Sequence, residues 1–399
     1  MACIIRYITI ASIFIHISVE EKDGTFNGGS ISYKLEEIAG RKIAHVELIT
    51  GWTLGKGPCG DACKSTSVNL ITNDQRDTKE KAADSIYCFG NFSSDYKEPD
   101  GQTSERHLNH IVHQNYTEIV IAVSENAMWE QELMTFSILM EHEEEDIMFK
   151  GSYWRPLMYG SDLQWQIQSK VVSKSRSDTK GLNNCPQVVT KPFYRVKLDQ
   201  STTIRIPMID PDNDIVRCDL SQFAEVGTLP VPEGLHVHKE FQSSVCKVTI
   251  NTSKSLNYSD NTWVVIPITF RDYNKMKIVF GDKENPPVKY SLSSTGAQFA
   301  VQVLEHLETP EFVSPTIKGD HMFIVYVGTI WNTDVYARAS ENTTIERFIQ
   351  SGRNREKVTL SSLRNDTRER VVYTSMSWEP TVEDKGQHVL CIRVVDITG

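Results

Sequence analysis

Short runs of alternating or β-branched residues, broken every few positions by Gly, Pro, Asn, Asp or Ser, recur from one end of this chain to the other. They include 30–35, 43–50, 118–123, 203–208, 245–250, 263–270, 299–304, 322–327, 370–373 and 389–395. A period of two sends successive side chains to opposite faces of a strand. Many short strands with turn residues between them read as sandwiches or barrels. Helical periodicity is scarce: residues 127–143 are the best helical stretch, and they suit a hairpin equally well. The expected class is therefore all-β, as tandem β-sandwich modules.

Two stretches interrupt the pattern. Residues 169–184 are polar and rich in Ser and Lys, and Cys185-Pro186 then opens a new strand pattern. Residues 305–315 carry Pro310 and Pro315 between two apolar runs. For 399 residues, a prior of about 150 per domain gives two or three domains. The reading is an N-terminal β-rich module over 19–175, a sandwich over 185–304 and a second sandwich over 308–399 that ends in a strand still in progress. The last two modules share a layout, since 264–272 and 388–396 are both alternating, with Arg271 or Arg393 just inside a closing Asp272 or Asp396.

The compartment follows from three features. Arg6 precedes an apolar stretch over 8–17, Ser18 is small, and Val19-Glu20-Glu21-Lys22-Asp23 turns polar. That is the layout of a signal peptide over 1–18, followed by secretion or surface display. The run is shorter than the about 20 residues of a membrane span, and the rival is a buried N-terminal strand of β-branched isoleucines.

There are eight cysteines, and Cys3 would leave with the leader. Cys218 and Cys246 sit beside strand-like runs and are the expected disulfide. Cys59, Cys63, Cys88 and Cys185 allow two further bridges in any of three connectivities, leaving Cys391 for a partner beyond Gly399. Glycosylation sequons occur at Asn91, Asn115, Asn251, Asn257, Asn342 and Asn365, which places those positions at the surface. A net charge of -10 without a basic stripe excludes non-specific nucleic-acid binding. With 24% charged and 39% hydrophobic residues the chain is neither disordered nor embedded in a bilayer.

Certain motifs carry a family resemblance. Trp378-Glu379-Pro380, then Asp384-Lys385-Gly386, then the run to Asp396, resembles the end of immunoglobulin-like and cadherin-like repeats. Residues 203–214 are similar to the Asp-rich turns of those repeats. Gly28-Gly29-Ser30-Ile31-Ser32-Tyr33, with Val46-Glu47-Leu48 and Trp52 before Cys59, resembles the opening module of large invertebrate secreted or cell-surface proteins. This resemblance implies Ig-like or cadherin-like sandwiches and a binding, adhesive or receptor-ectodomain role without catalysis. It also implies extracellular protein or glycan partners, and a membrane link only through an anchor beyond Gly399.

The sharpest chemical candidate is Asp210-Pro211-Asp212-Asn213-Asp214, with Asp272 as a further carboxylate, for Ca2+. No other cofactor is expected. An EF-hand is excluded, because its sixth position is Ile215 and its twelfth Ser221. The full cadherin linker signature is also missing, and a tight turn bonded to its own backbone is the competing and favoured explanation. His107, His110 and His113 cluster, and His236 and His238 share a strand face, but nothing nominates a third zinc ligand. Zinc at Cys59 and Cys63 lacks a second ligand pair.

Glu141-His142-Glu143-Glu144-Glu145-Asp146 is not a His-Glu-x-x-His motif and reads as an acidic loop. Nucleophile-elbow and phosphate-loop patterns are absent, and Gly55-Lys56-Gly57 reads as a turn. A secreted carbohydrate-binding or hydrolytic protein, using acidic residues and surface Trp154 and Trp165, is the first alternative, and a structural matrix component is the second.

Overall fold

The computed structural model describes residues 26–57, 59–60, 63–64, 85–90, 105–107, 116–152, 154–160, 163–191, 193–227, 229–239, 244–317, 323–351 and 357–397. The leader reading at 1–18, the sequons Asn91 and Asn115, and His110 and His113 lie outside them, as do the side chains of Cys88 and His107.

The architecture is all-β, organised around one eight-stranded sheet. Its order is Ile215–Leu220, Thr262–Tyr273, Ser294–Leu304, Phe26–Ile38, Arg41–Thr53, Trp129–Leu139 and Tyr116–Ser124, and Phe193–Lys197 adds parallel to Ser294–Leu304. Phe26–Ile38 and Arg41–Thr53 form a long hairpin through Ala39 and Gly40, both at positive φ, as the twist of a two-residue β-turn requires. The helical alternative for 127–143 fails. Trp129–Leu139 is paired on both edges, by Arg41–Thr53 and Tyr116–Ser124, so sheet partners override its local preference.

This sheet crosses the division read between 175 and 185. The register Gly28↔Phe299, Gly29↔Gln298, Ser30↔Ala297, Ile31↔Gly296 joins a strand of the N-terminal module to one of the second. The polar stretch 169–184 signals a change of layer, not an end of the sheet. One layer on this sheet is the four-stranded set Glu105–His107, Ser85–Gly90, Glu144–Ser152 and Gln164–Val172. Another is Leu235–Val237, Val245–Asn251, Ser201–Ile209 and Gln187–Val188.

The two layers lie on opposite faces where the sheet passes through Thr262–Tyr273. Val264, Ile266, Ile268 and Phe270 enter one core and Val265 the other, as strand alternation dictates. Burial on both faces explains why this strand reads as a continuous apolar run.

The third module has its own sheets. Glu311–Phe312, Trp331–Arg338, Val371–Trp378 and Val358–Leu360 form one, with Arg364–Asn365 also on Val371–Trp378, and Ile345–Ser351 pairs Cys391–Asp396 in the other. Val335, Ala337, Ile345 and Phe348 pack between them. Ile349 and Val395 meet Ala122 and Trp129 of the large sheet, and Arg393 Nη2 donates to Gln131 Oε1 at 2.6 Å. One expected strand does not form: described residues 323–327 of the 322–327 run are an irregular, largely exposed loop leading into Trp331–Arg338.

Candidate functional site

The aspartate turn follows Ser201–Ile209 directly. Asp210 Oδ1 accepts the backbone N–H groups of Asp212 (2.9 Å) and Asp214 (3.1 Å), and Asn213 stands at positive φ. This is the self-bonded turn that Asp and Asn favour. Ligand oxygens of Asp210, Asp212 and Asp214 lie within 4.8 Å of one another.

Each carboxylate also has a defined protein environment. Arg176, 2% exposed, pairs bidentately with Asp214, Nη1 to Oδ2 and Nη2 to Oδ1 at 3.0 Å. The same guanidinium donates to Asp178 through Nε (3.1 Å) and Nη2 (2.8 Å), and to Asn183 Oδ1 at 2.6 Å. Asp212 accepts the N–H of Asn184 at 2.6 Å and its Nδ2 at 2.9 Å. Asp272 stands apart from the trio. It accepts Asn183 Nδ2 (2.6 Å) on one oxygen, and Ser293 N (2.6 Å) and Oγ (2.7 Å) on the other. Asp210 Oδ2 is buried without a hydrogen-bond partner.

The electrostatics follow from burial. Asp272 is fully buried, which pushes its carboxyl up to about 6 despite its donors. Asp210, 3% exposed, is raised well above the ordinary range by burial first, then by the charges of Asp272, Asp214 and Asp212. For Asp214, burial outweighs the pull of Arg176, and its carboxyl is also raised. Arg176 thus supplies, from within the chain, a positive charge that a bound cation would otherwise bring. The polar stretch read as a boundary between modules provides Arg176, Asp178, Asn183 and Asn184. Only its charge and amide content hinted at this role, and no spacing rule marked it.

The constellation also ties neighbouring layers. Asn184 Oδ1 accepts the N–H of Leu35 at 3.0 Å. The buried Cys185 thiol accepts the N–H of Tyr33 (2.9 Å) and donates to its carbonyl (3.2 Å). Cys185 is therefore not in a bridge, contrary to the expected pairing among Cys59, Cys63, Cys88 and Cys185. Cys59 bonds Cys63, and Cys218 bonds Cys246 between the two sheets of the second module, the 185–304 sandwich. Cys391 makes no bridge among the described residues.

The Gly55-Lys56-Gly57 turn is filled by the protein's own acid. Glu130, fully buried, accepts the N–H of Gly55 (2.9 Å) and of Gly57 (2.8 Å), and Glu132 accepts that of Cys59 (2.7 Å). The acidic run near 141–146 is likewise structured, since Glu145 Oε1 accepts the N–H groups of Glu141 and His142, each at 2.7 Å. His236 and His238 share a face with ring centroids 4.8 Å apart, and His238 Nε2 bonds Thr249 Oγ1 at 2.7 Å. No third metal-binding side chain joins them among the described residues.

Trp154 and Trp165 are not at the surface. Both are fully buried, and with Phe26, Trp52 and Phe149 they form the aromatic centre of the first core. They have no face to offer a sugar. Asn251, Asn257, Asn342 and Asn365 are all exposed.

No family model matches this chain, and no curated protein matches it. Among solved structures it is similar to a chain of the crystal structure of Dpr2 Ig1-Ig2 in complex with DIP-Theta Ig1-Ig3, at 9% identity and a TM-score of 0.16, over 92% of this chain and 97% of that one. The fold described above rests on its own sheets, to which a likeness this loose adds nothing.

Proposed function

We propose that this chain is an extracellular binding protein of tandem β-sandwich modules, in which the Arg176 constellation serves as a structural clasp and the exposed end of the third module engages a protein partner with an apolar contact surface. The observation that carries the reading is the loop before Trp331–Arg338. Ile324 is 82% exposed, Tyr326 73% and Ile330 62%, and Val382 from the neighbouring turn is 65% exposed. Gly328 N donates to Pro380 O at 2.8 Å, which brings the two loops together. Large apolar side chains grouped at the end of a sandwich are a recognised mark of interaction surfaces.

The sequons support this orientation. Trp331 pairs with Trp378 at the apolar end, and Arg338 pairs with Val371 at the other. Asn365 pairs with Val372, and Asn342 follows Arg338, so glycans on these two would cover the opposite end. Two disulfides and four exposed sequons support export.

The test is a binding survey against extracellular domains, with protein secreted from eukaryotic cells. A partner held by the wild type and lost by Ile324→Asp/Ile330→Asp supports the reading. A partner held equally by both moves the binding face elsewhere.

A further inference from the structure

Leu235–Val237 is the outermost strand of its four-stranded sheet and pairs with Val245–Asn251 alone among the described residues. Leu235 and Val237 turn into the second core, so alternation sends His236 and His238 to the opposite face. His236 is exposed and His238 half-buried. Their ring centroids lie 4.8 Å apart, with the planes at 83°. Two imidazoles that ligate one zinc ion tetrahedrally, each through a Zn–N bond of about 2.0–2.1 Å, have centroids about 5 Å apart. The two rings stand at chelating distance around one point.

One ring is already oriented. His238 Nε2 lies 2.7 Å from Thr249 Oγ1, which lies 2.8 Å from Thr203 Oγ1. The tautomer that donates Nε2–H to this hydroxyl pair leaves its lone pair on Nδ1, which is how a metal-ligating histidine is held by a second hydrogen bond. Thr249 lies directly opposite His236 in the register and Thr203 opposite Thr249, so the rings and the hydroxyls share a face. Lys239, the next residue in the chain, pairs with Asp219 at 3.5 Å. Lys247 and Arg205, opposite each other on the same face, oppose a bare cation, so two imidazoles by themselves hold zinc weakly.

No third ligand atom from His, Cys, Asp or Glu gathers within 4.8 Å of the pair among the described residues. A structural zinc site is closed by four protein ligands, and a two-fold axis turns one pair into four. We propose that His236 and His238 are half of a zinc site that a second copy of this chain completes, so that the ion joins two chains at the sheet edge of the second module. The site lies on a different module from the apolar end described above and does not depend on it.

The test uses the untagged full chain with zinc chloride as the probe, and with N-glycans trimmed to one sugar because Asn251 ends the neighbouring strand. Sedimentation velocity should show a monomer in EDTA and a dimer in zinc, and equilibrium dialysis should give one ion per two chains. His236→Ala and His238→Ala should each abolish both effects, while melting curves in EDTA that match the wild type show that the variants fold. Thr249→Val, which removes the orienting hydroxyl, should weaken zinc binding about tenfold. Magnesium should not replace zinc, because imidazole suits zinc and magnesium prefers oxygen ligands. A dimer indifferent to EDTA, or zinc bound by a chain that stays monomeric, overturns the bridged site. Zinc-dependent dimerisation that survives His236→Ala/His238→Ala overturns the assignment to these residues, and absence of zinc binding overturns the proposal.

Discussion

Arg176 and Asp214 are thirty-eight residues apart in sequence and meet as a two-pronged ion pair, with Asp178 on the same guanidinium. Removing one partner of a buried pair strands the other, which costs about 3–5 kcal/mol. Arg176→Met should therefore lower stability by about that amount in denaturant melts. Adding Asp214→Asn should recover part of the loss, because the stranded charge is gone. Equal stability of Arg176→Met and the wild type would remove the clasp from the account.

The buried aspartates set a pH dependence of unusual sign. Asp272 titrates at about 6 in the folded chain, against about 3.9 when unfolded. Between these values the native state holds more protons, so this contribution is fully present at low pH and is lost as pH rises from about 4 to about 6. Asp210, raised well above its ordinary range by burial and by the neighbouring carboxylates, adds a contribution of the same sign. Asp210→Asn keeps an oxygen for the amides of Asp212 and Asp214 and removes the charge. It should raise stability near neutral pH and flatten the slope of melting temperature against pH. A melting temperature that climbs steadily from pH 4 to 7 in the wild type, unaltered in the variant, would contradict this.

The buried Glu130 carboxylate accepts two turn amides at once, those of Gly55 and Gly57. Hydrogen bonds to charged groups are worth about 1.5–3 kcal/mol each, so Glu130→Ala should destabilise by several kcal/mol. Gly57→Ala should do so too, because its Cβ would come 2.3 Å from Glu130 Oε1 and 2.6 Å from the Trp52 ring. Chemical denaturation of both variants checks this.

The Cys218–Cys246 bridge closes a loop with a sequence separation of 28. Chain entropy gives about 3–4 kcal/mol for such a loop, and Cys218→Ser/Cys246→Ser should lose about that much. Reducing agent should lower the wild-type midpoint and leave the double variant unmoved in this transition.

Strand character was legible wherever one face is buried, because alternation is a local property. Ile43 to Thr50 and Val245 to Ile250 are examples. What stayed hidden depends on partners distant in sequence. Trp129–Leu139 carries residues that suit a helix and is a strand because it has neighbours on both sides. Trp154 and Trp165 look like surface rings until Phe26 arrives between them. At the aspartate turn the carboxylates were visible, but Arg176 and Asn183 lie in a stretch whose polarity reads as solvent exposure, although both are buried.

The strand pairing of Gly28 with Phe299 has a mechanical consequence. Bending between the first two modules would tear backbone hydrogen bonds out of a continuous ladder, so that junction is rigid. The third module packs on the first through side chains, among them Arg393 on Gln131 and Val395 beside Trp129. The apolar end of the third module is thus carried on a base whose first two modules share one stiff sheet.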